Sequence, residues 1–147
     1  MLVNRRTLRI EWGDCDPQGI VFYPHYFSWF DAGTHALLER TGLSARDLWS
    51  KYGAEGIPVL DTRAQFIIPL RYGDELVAES QIGKWGRSSF TVLHRLFKHG
   101  VLAAEGFEKR VWVVPHPSEP GRLTGHPVPD EVIACLSDPT GATRCGP

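Results

Sequence analysis

Residues 10–27 read IEWGDCDPQGIVFYPHYF, with two aspartates flanking a cysteine, then a proline, a glycine and a dense aromatic run. Such a stretch could hold calcium, expose a thiol nucleophile, bind zinc, or place a carboxylate for acid–base or nucleophilic work. Calcium fails on spacing. With Asp14 and Asp16 at loop positions one and three and Gly19 at six, the bidentate Glu required at position twelve is His25. Cys15 is a poor nucleophile, because a reactive thiol needs a nearby His and positive surroundings, and two carboxylates flank it instead. Zinc lacks a ligand set: the six His (25, 35, 94, 99, 116 and 126) form no HExxH and no close pair, so no metal is expected. His94 and His99 read as surface residues flanking a turn.

The aspartates remain. By residue type alone they could cap a turn through Asx hydrogen bonds beside Pro17 and Gly19. Their position suggests more. The loop runs directly into a long helix, whose free N–H groups and dipole favour negative charge and could stabilise an oxyanion on a substrate carbonyl. Carboxylate, N–H donors and aromatic residues Trp12, Phe22, Tyr23 and Tyr26 then share one short stretch, which suits acyl transfer.

The elements that must position these groups follow from periodicity. Residues 3–12 alternate loosely and predict a first strand, and 13–22 a loop. Pro24 opens a helix over 24–40 with Tyr26, Trp29, Phe30, Gly33 and Leu37 on one face, stopped by Gly42. Gly33 costs about 1 kcal/mol there, which close packing of the helix backbone on a sheet would justify. Residues 44–52 predict a short helix capped by Ser44. Beyond Pro58, the segments VLDTRAQFII, DELVAESQIGKW, RSSFTVLHRLF and VLAAEGFEKRVWVV predict four strands in a meander, with RYGD and KHG as hairpin turns. Residues 111–114 (VWVV) predict a strand buried on both faces, which points to an oligomer, and DEVIACL a closing helix. The fold class is α+β, with a single domain over 1–137; residues 138–147 (DPTGATRCGP) are expected to form a disordered tail.

Composition narrows the partners. The 147 residues carry a formal charge of −1, so no attraction to nucleic acid is expected. No apolar run approaches the roughly 20 residues of a membrane helix. The first residues carry charges where a signal peptide has its apolar region, and the cysteines suggest no disulfide framework, so a cytoplasmic protein is expected.

The run Gly13-Asp14-Cys15-Asp16-Pro17, through Tyr23-Pro24 to Trp29 and Asp31-Ala32, resembles the 4-hydroxybenzoyl-CoA thioesterases of the hot-dog-fold superfamily. The likeness continues through Gly42-Leu43, Gly56, Pro58, Trp85, Ser89, Phe90 and the closing PVPDEVIACLS, covering about residues 8–137. It implies a long helix wrapped by a five-stranded antiparallel sheet, and a homo-oligomer, dimer or tetramer. It also implies hydrolysis of an aromatic acyl-CoA, 4-hydroxybenzoyl-CoA or a benzoyl relative, without metal or cofactor. Asp16 is then the nucleophile or general base, the Tyr23 N–H the oxyanion donor, and Asp31 the acceptor for a substrate phenol. Ile57, Pro58 and Val59 match pocket and pantetheine contacts. Gly86, Arg87 and Ser88 fall where the family has a basic run suited to CoA phosphates, and only Arg87 is basic here. The same fold also serves short-chain or broad acyl-CoA thioesterases and non-catalytic acyl-CoA binding. Pro24 stands where aliphatic-acyl relatives carry His, and so favours the aromatic branch.

Overall fold

The computed structural model describes residues 1–146. Strand β1 (Val3–Arg9) leads through a 3-10 turn at Trp12–Asp14 and an irregular loop into helix α1 (Pro24–Leu38), extended by a 3-10 turn over Glu39–Thr41. Pro24 takes the first helical position and Gly42 ends the helix with φ 90°, a left-handed conformation that glycine adopts without steric cost. Helix α2 (Ala45–Tyr52) follows, with the Ser44 hydroxyl accepting the Asp47 N–H as the N-cap reading requires. Then come β2 (Val59–Phe66), β3 (Glu75–Trp85), β4 (Ser89–Lys98), β5 (Val101–Val111), short strands β6 (Val113–Pro115) and β7 (Leu123–Gly125), and α3 (Asp130–Ser137).

The five-stranded antiparallel sheet has the order β1-β3-β4-β5-β2, and α1 lies along one face of it. The expected four-strand meander therefore holds only for β3-β4-β5. The β2 strand crosses over to pair with β5, and RYGD is the link from one edge of the sheet to its middle rather than a hairpin turn. KHG does form one: His99 (φ 50°) and Gly100 (φ 75°) both have the positive φ that matches the twist of the flanking strands β4 and β5. The expected strand over 111–114 breaks at Trp112, whose N–H binds Ser88 O at 2.7 Å while Val113 turns to pair with Gly125. Trp112 is fully buried, but against Trp49 and Tyr52 of α2 rather than against a second chain.

Residues 138–146 are not the disordered tail that their composition suggests. Asp138 accepts hydrogen bonds from Thr140, Ala142 and Thr143, Cys145 N–H binds Thr41 O at 2.8 Å, and Cys145 is buried beside Cys135 of α3. Polar side chains folding back on their own backbone, plus one buried anchor, order a segment that lacks any periodic pattern.

The inward residues of β3 (Leu76, Ala78, Ser80, Ile82) and β4 (Phe90, Val92, His94, Leu96) alternate in phase, as a sheet with one covered face requires. Two apolar clusters result. One joins Ile10, Val21, Tyr26, Phe30, Leu70 and Leu96 near the start of α1; the other joins Leu37, Leu48, Ile57, Phe90, Trp112 and Leu136 around its end. Between them the interior is polar. Ser80, His94, Glu108 and Arg110 point from the sheet towards Thr34 of α1, and all five are buried. The expectation that His94 is a surface residue is thus overturned: it is 2% exposed, with Phe30 stacked on its ring at 4.7 Å. Its place in the β4 alternation, between Val92 and Leu96, was the available signal. Gly33 does sit where α1 approaches the sheet; a Cβ there would come within 2.5 Å of Ser80 Oγ. Among the described residues, no helix is long and apolar enough to cross a membrane.

Candidate active site

The loop before α1 is closed by a bridge between Cys15 and Val21, with Asp16 N–H on Ile20 O at 2.9 Å and Gly19 N–H on Asp16 O at 2.9 Å. Gly19 takes φ 77° to make this turn. The two aspartates divide their work. Asp14 has both carboxylate oxygens engaged, Oδ2 accepting the Glu11 N–H at 2.8 Å and Oδ1 lying 3.4 Å from His25 Nδ1 in the first turn of α1. It ties the loop to the helix. Asp16 accepts the Gln18 N–H at Oδ1 (2.8 Å), the Asx turn that residue type alone suggests. Its Oδ2 has no hydrogen bond among the described residues, so the half-buried Asp16 keeps one oxygen unengaged.

Tyr23 caps α1 in helical geometry and is 59% exposed. Among the described residues its N–H makes no backbone hydrogen bond, whereas Phe22 N–H is bound to Asp14 O and His25 N–H to Phe22 O. An unpaired N–H at the positive end of a helix is a ready donor for a developing oxyanion. Beside it opens a cavity of about 300 Å³, walled by Ile20, Val21, Tyr23, Tyr26 and the segment Phe66–Leu70. That segment went unrecognised in the sequence, since nothing local marks a strand exit as a pocket wall. The expected aromatic grouping holds in part. Phe22, Tyr23 and Tyr26 gather at the helix start, but Trp12 turns away to pack edge-on against Tyr72 at 5.8 Å. Burial pushes the Tyr26 phenol up to about 12, so it stays protonated. A larger hollow of about 660 Å³ lies on the opposite face of the sheet and includes none of the candidate residues.

The remaining candidates meet at the other end of the sheet. Asp31 Oδ1 accepts from Arg110 Nη2 at 2.6 Å, and Arg110 Nη1 donates to Ile57 O at 3.1 Å. Pro58 O accepts the Val111 N–H at 3.2 Å, and Val59 pairs with Arg110, which lays 57–59 along one side of the end of β5. The Gly86-Arg87-Ser88 hairpin lies on its other side, Ser88 O taking the Trp112 N–H and Arg87 O the Val128 N–H. Arg87 is exposed. Asp31 stands eight residues beyond Tyr23, about 12 Å along the helix. Within one chain, then, Asp16 and Tyr23 form one group, and Asp31, 57–59 and 86–88 another.

The buried polar band adds residues that sequence reasoning missed. Burial alone would raise the Glu108 pKa, but hydrogen bonds from His94, Arg110 and Thr34, with the Arg110 charge, outweigh it and hold the carboxyl at about 2. Burial pushes His94 down, so the ring is neutral, with Ser80 at Nδ1 (2.9 Å) and the Glu108 carboxylate 3.4 Å from Nε2. Burial opposes the Arg110 charge, but its hydrogen bonds to Glu108 and Asp31 prevail and raise its pKa.

Comparison with known proteins agrees with this geometry. Residues 10–134 match the family model of the Thioesterase-like superfamily, and the chain belongs to that family. It is similar to the 4-hydroxybenzoyl-CoA thioesterase of Pseudomonas sp. (strain CBS-3), 39% identical over 87 residues that make up 58% of this chain; the chain spans 62% of that relative's length. The 1,4-dihydroxy-2-naphthoyl-CoA hydrolase of Synechococcus sp. (strain WH7803) is 28% identical over 111 residues, 71% of this chain and 72% of its own. The solved structure of the Pseudomonas enzyme superposes with a TM-score of 0.81 at 32% identity, over 91% of this chain and 99% of that one. A mutant 4-hydroxybenzoyl-CoA thioesterase solved with 4-hydroxybenzoyl-CoA superposes with a TM-score of 0.83 at 31% identity, over 92% and 99%. The fold is the hot-dog fold of these structures.

Proposed function

We propose that the protein hydrolyses an aromatic acyl-CoA thioester, 4-hydroxybenzoyl-CoA or a close benzoyl relative, to the free acid and CoA. One observation carries the reading. The Tyr23 N–H, unpaired among the described residues, belongs to the wall of an apolar cavity at the start of α1, and Asp16, with one carboxylate oxygen free, sits in the loop that is hydrogen-bonded to Ile20 of the same wall. A thioester carbonyl bound to the Tyr23 N–H gains electrophilic character, and its oxyanion is stabilised as the carbon becomes tetrahedral. Asp16 either attacks that carbon, giving an acyl-enzyme anhydride that water then cleaves, or draws a proton from an attacking water. In both routes CoA leaves as the thiolate and is protonated to the thiol.

The acyl ring lies along the aromatic wall, Ile57, Pro58 and Val59 contact the pocket and pantetheine arm, and Gly86, Arg87 and Ser88 border the nucleotide end. Asp31 of the same chain is too distant for a phenol whose carbonyl rests on Tyr23. The protein therefore works as a homodimer through the β2 edge, or as a tetramer built from two such dimers. Antiparallel pairing of two β2 strands puts the Asp31 end of the partner beside the Tyr23 end of this chain. The edges support that choice: β1 carries Arg5, Arg6 and Arg9, which discourage pairing, whereas β2 exposes Val59, Leu60 and Phe66.

Thiol release from 4-hydroxybenzoyl-, benzoyl- and hexanoyl-CoA, for the wild type and Asp16→Asn, tests the reading. We expect aromatic preference and a loss of about 10²–10⁴ in kcat for Asp16→Asn. Near-wild-type rates in that variant would remove Asp16 from the mechanism. Preference for the aliphatic ester would move the protein to the broad acyl-CoA branch, and binding without turnover would make it a carrier.

A further inference from the structure

Arg110 is 3% exposed and spends its donors on three elements at once. Nε donates to Glu108 Oε2 (2.9 Å), Nη2 to Glu108 Oε1 (2.8 Å) and to Asp31 Oδ1 (2.6 Å), and Nη1 to Ile57 O (3.1 Å). Glu108 is itself locked, since Thr34 Oγ1 donates to its Oε2 at 2.5 Å and His94 Nε2 lies 3.4 Å from the same oxygen. A planar guanidinium held as a fork on a fixed carboxylate has no rotational freedom left. Whatever it touches next is positioned with it.

What it touches is Asp31, whose side chain is 54% exposed on α1. His35 Nε2, at 3.7 Å, approaches the same Oδ1. Among the described residues Oδ2 has no hydrogen bond, so Arg110 occupies one oxygen and leaves the other facing outward. An unanchored carboxylate on a helix surface samples several rotamers and gains little over water when it binds a hydroxyl. Fixed at one oxygen, the same group becomes an acceptor with a direction. The bond to Ile57 O also makes Asp31 and the 57–59 segment move as one unit.

We propose that Arg110 is a positioning residue: it aims the free oxygen of Asp31 at the hydroxyl of a hydroxyaroyl group, and thereby sets selectivity for hydroxylated over unsubstituted benzoyl thioesters. The proposal rests on the aromatic thioesterase reading and adds to it the residue that makes the hydroxyl count. A site built to accept a substrate hydroxyl rejects the analogue lacking it, because the acceptor then goes unpaired.

The test is the ratio of kcat/KM for 4-hydroxybenzoyl-CoA to that for benzoyl-CoA, in wild type, Arg110→Lys, Asp31→Asn and the double variant. A lysine ammonium cannot grip Glu108, Asp31 and Ile57 together. We expect Arg110→Lys to lower the ratio by about tenfold, the size of one hydrogen bond to a charged group, with Asp31→Asn lowering it similarly and the double variant no further. A purely structural Arg110 would slow both substrates equally and leave the ratio unmoved, which overturns the proposal. Should Arg110→Lys fail to fold, Glu108→Gln, nearly the same shape, removes the ionic anchor and is expected to lower the ratio; an unchanged ratio there also overturns it. Wild type that turns over neither aromatic ester overturns the functional reading and this proposal together. Wild-type turnover with a ratio insensitive to these variants overturns this proposal alone.

Discussion

At the scale of single residues, the informative positions are those where two similar groups do different things. Asp14 and Asp16 are two residues apart, yet the first has both oxygens bound and the second has one free. Their chemical difference arises from loop closure, which residue types do not reveal. Gly33 is a second case. The sequence implied that the helix backbone presses on a sheet there, and it does, but against the Ser80–His94 pair rather than an apolar surface. Alanine would gain about 1 kcal/mol of helix propensity. Its Cβ, however, would stand 2.5 Å from Ser80 Oγ and 3.3 Å from His94 Nδ1, both buried and bonded to each other at 2.9 Å. Displacing that pair breaks a buried hydrogen bond and opens the helix from the sheet. We expect Gly33→Ala to destabilise the protein by about 2 kcal/mol, read as a lower denaturant midpoint at unchanged m-value. A higher midpoint would show that the polar band can yield.

At the scale of elements, periodicity marked nearly every strand and helix but not their partners. The inward phase of β3 and β4 is plain in their alternation, whereas the crossover of β2 to β5 depends on long-range pairing that no local pattern encodes. The polar band was missed for a related reason: Ser80, His94, Glu108 and Arg110 lie on three strands, and only the register brings them together. That register has a consequence for pH. His94 is buried neutral with its pKa lowered, so below the ordinary histidine value of about 6.5 the unfolded chain binds a proton that the folded chain refuses. Stability therefore falls as pH drops below 6.5. Glu108, held at about 2 against an ordinary 4.5, adds a second loss below 4.5, because unfolded Glu takes up a proton there and the folded carboxylate does not. We expect the urea midpoint to decline from pH 7 to 5 and more steeply from 4.5 to 3, with His94→Gln flattening the upper stage. A midpoint constant between pH 7 and 5 would mean that His94 is protonated in place.

At the scale of the whole molecule, the question is what completes the site. The sequence pointed to an oligomer through the apolar run VWVV, but Trp112 is covered by α2 of its own chain, so that reason does not stand. The sheet supplies a better one. Its β2 edge is eight residues long, has no proline, and exposes Leu60 at 59% and Phe66 at 50%. Left open, such an edge is a template for another chain. On the proposed reading, Asp16 and Tyr23 at the start of α1 and Asp31, about two turns further along it, would face each other across one ligand only if an antiparallel second copy supplied one of the two groups. If so, association and catalysis must fail together. Leu60→Lys puts a charge on the edge beside the irregularity between Val59 and Asp61, far in sequence from Asp16. We expect wild type to sediment as a dimer or a multiple of one. The variant should dissociate on dilution, and its kcat/KM should fall over the same concentrations at which monomer appears. The two curves should share a midpoint if, as proposed, each monomer supplies half of every site. A wild-type monomer with full activity on 4-hydroxybenzoyl-CoA would contradict this, and would require Asp31 to act on something other than the group bound at Tyr23.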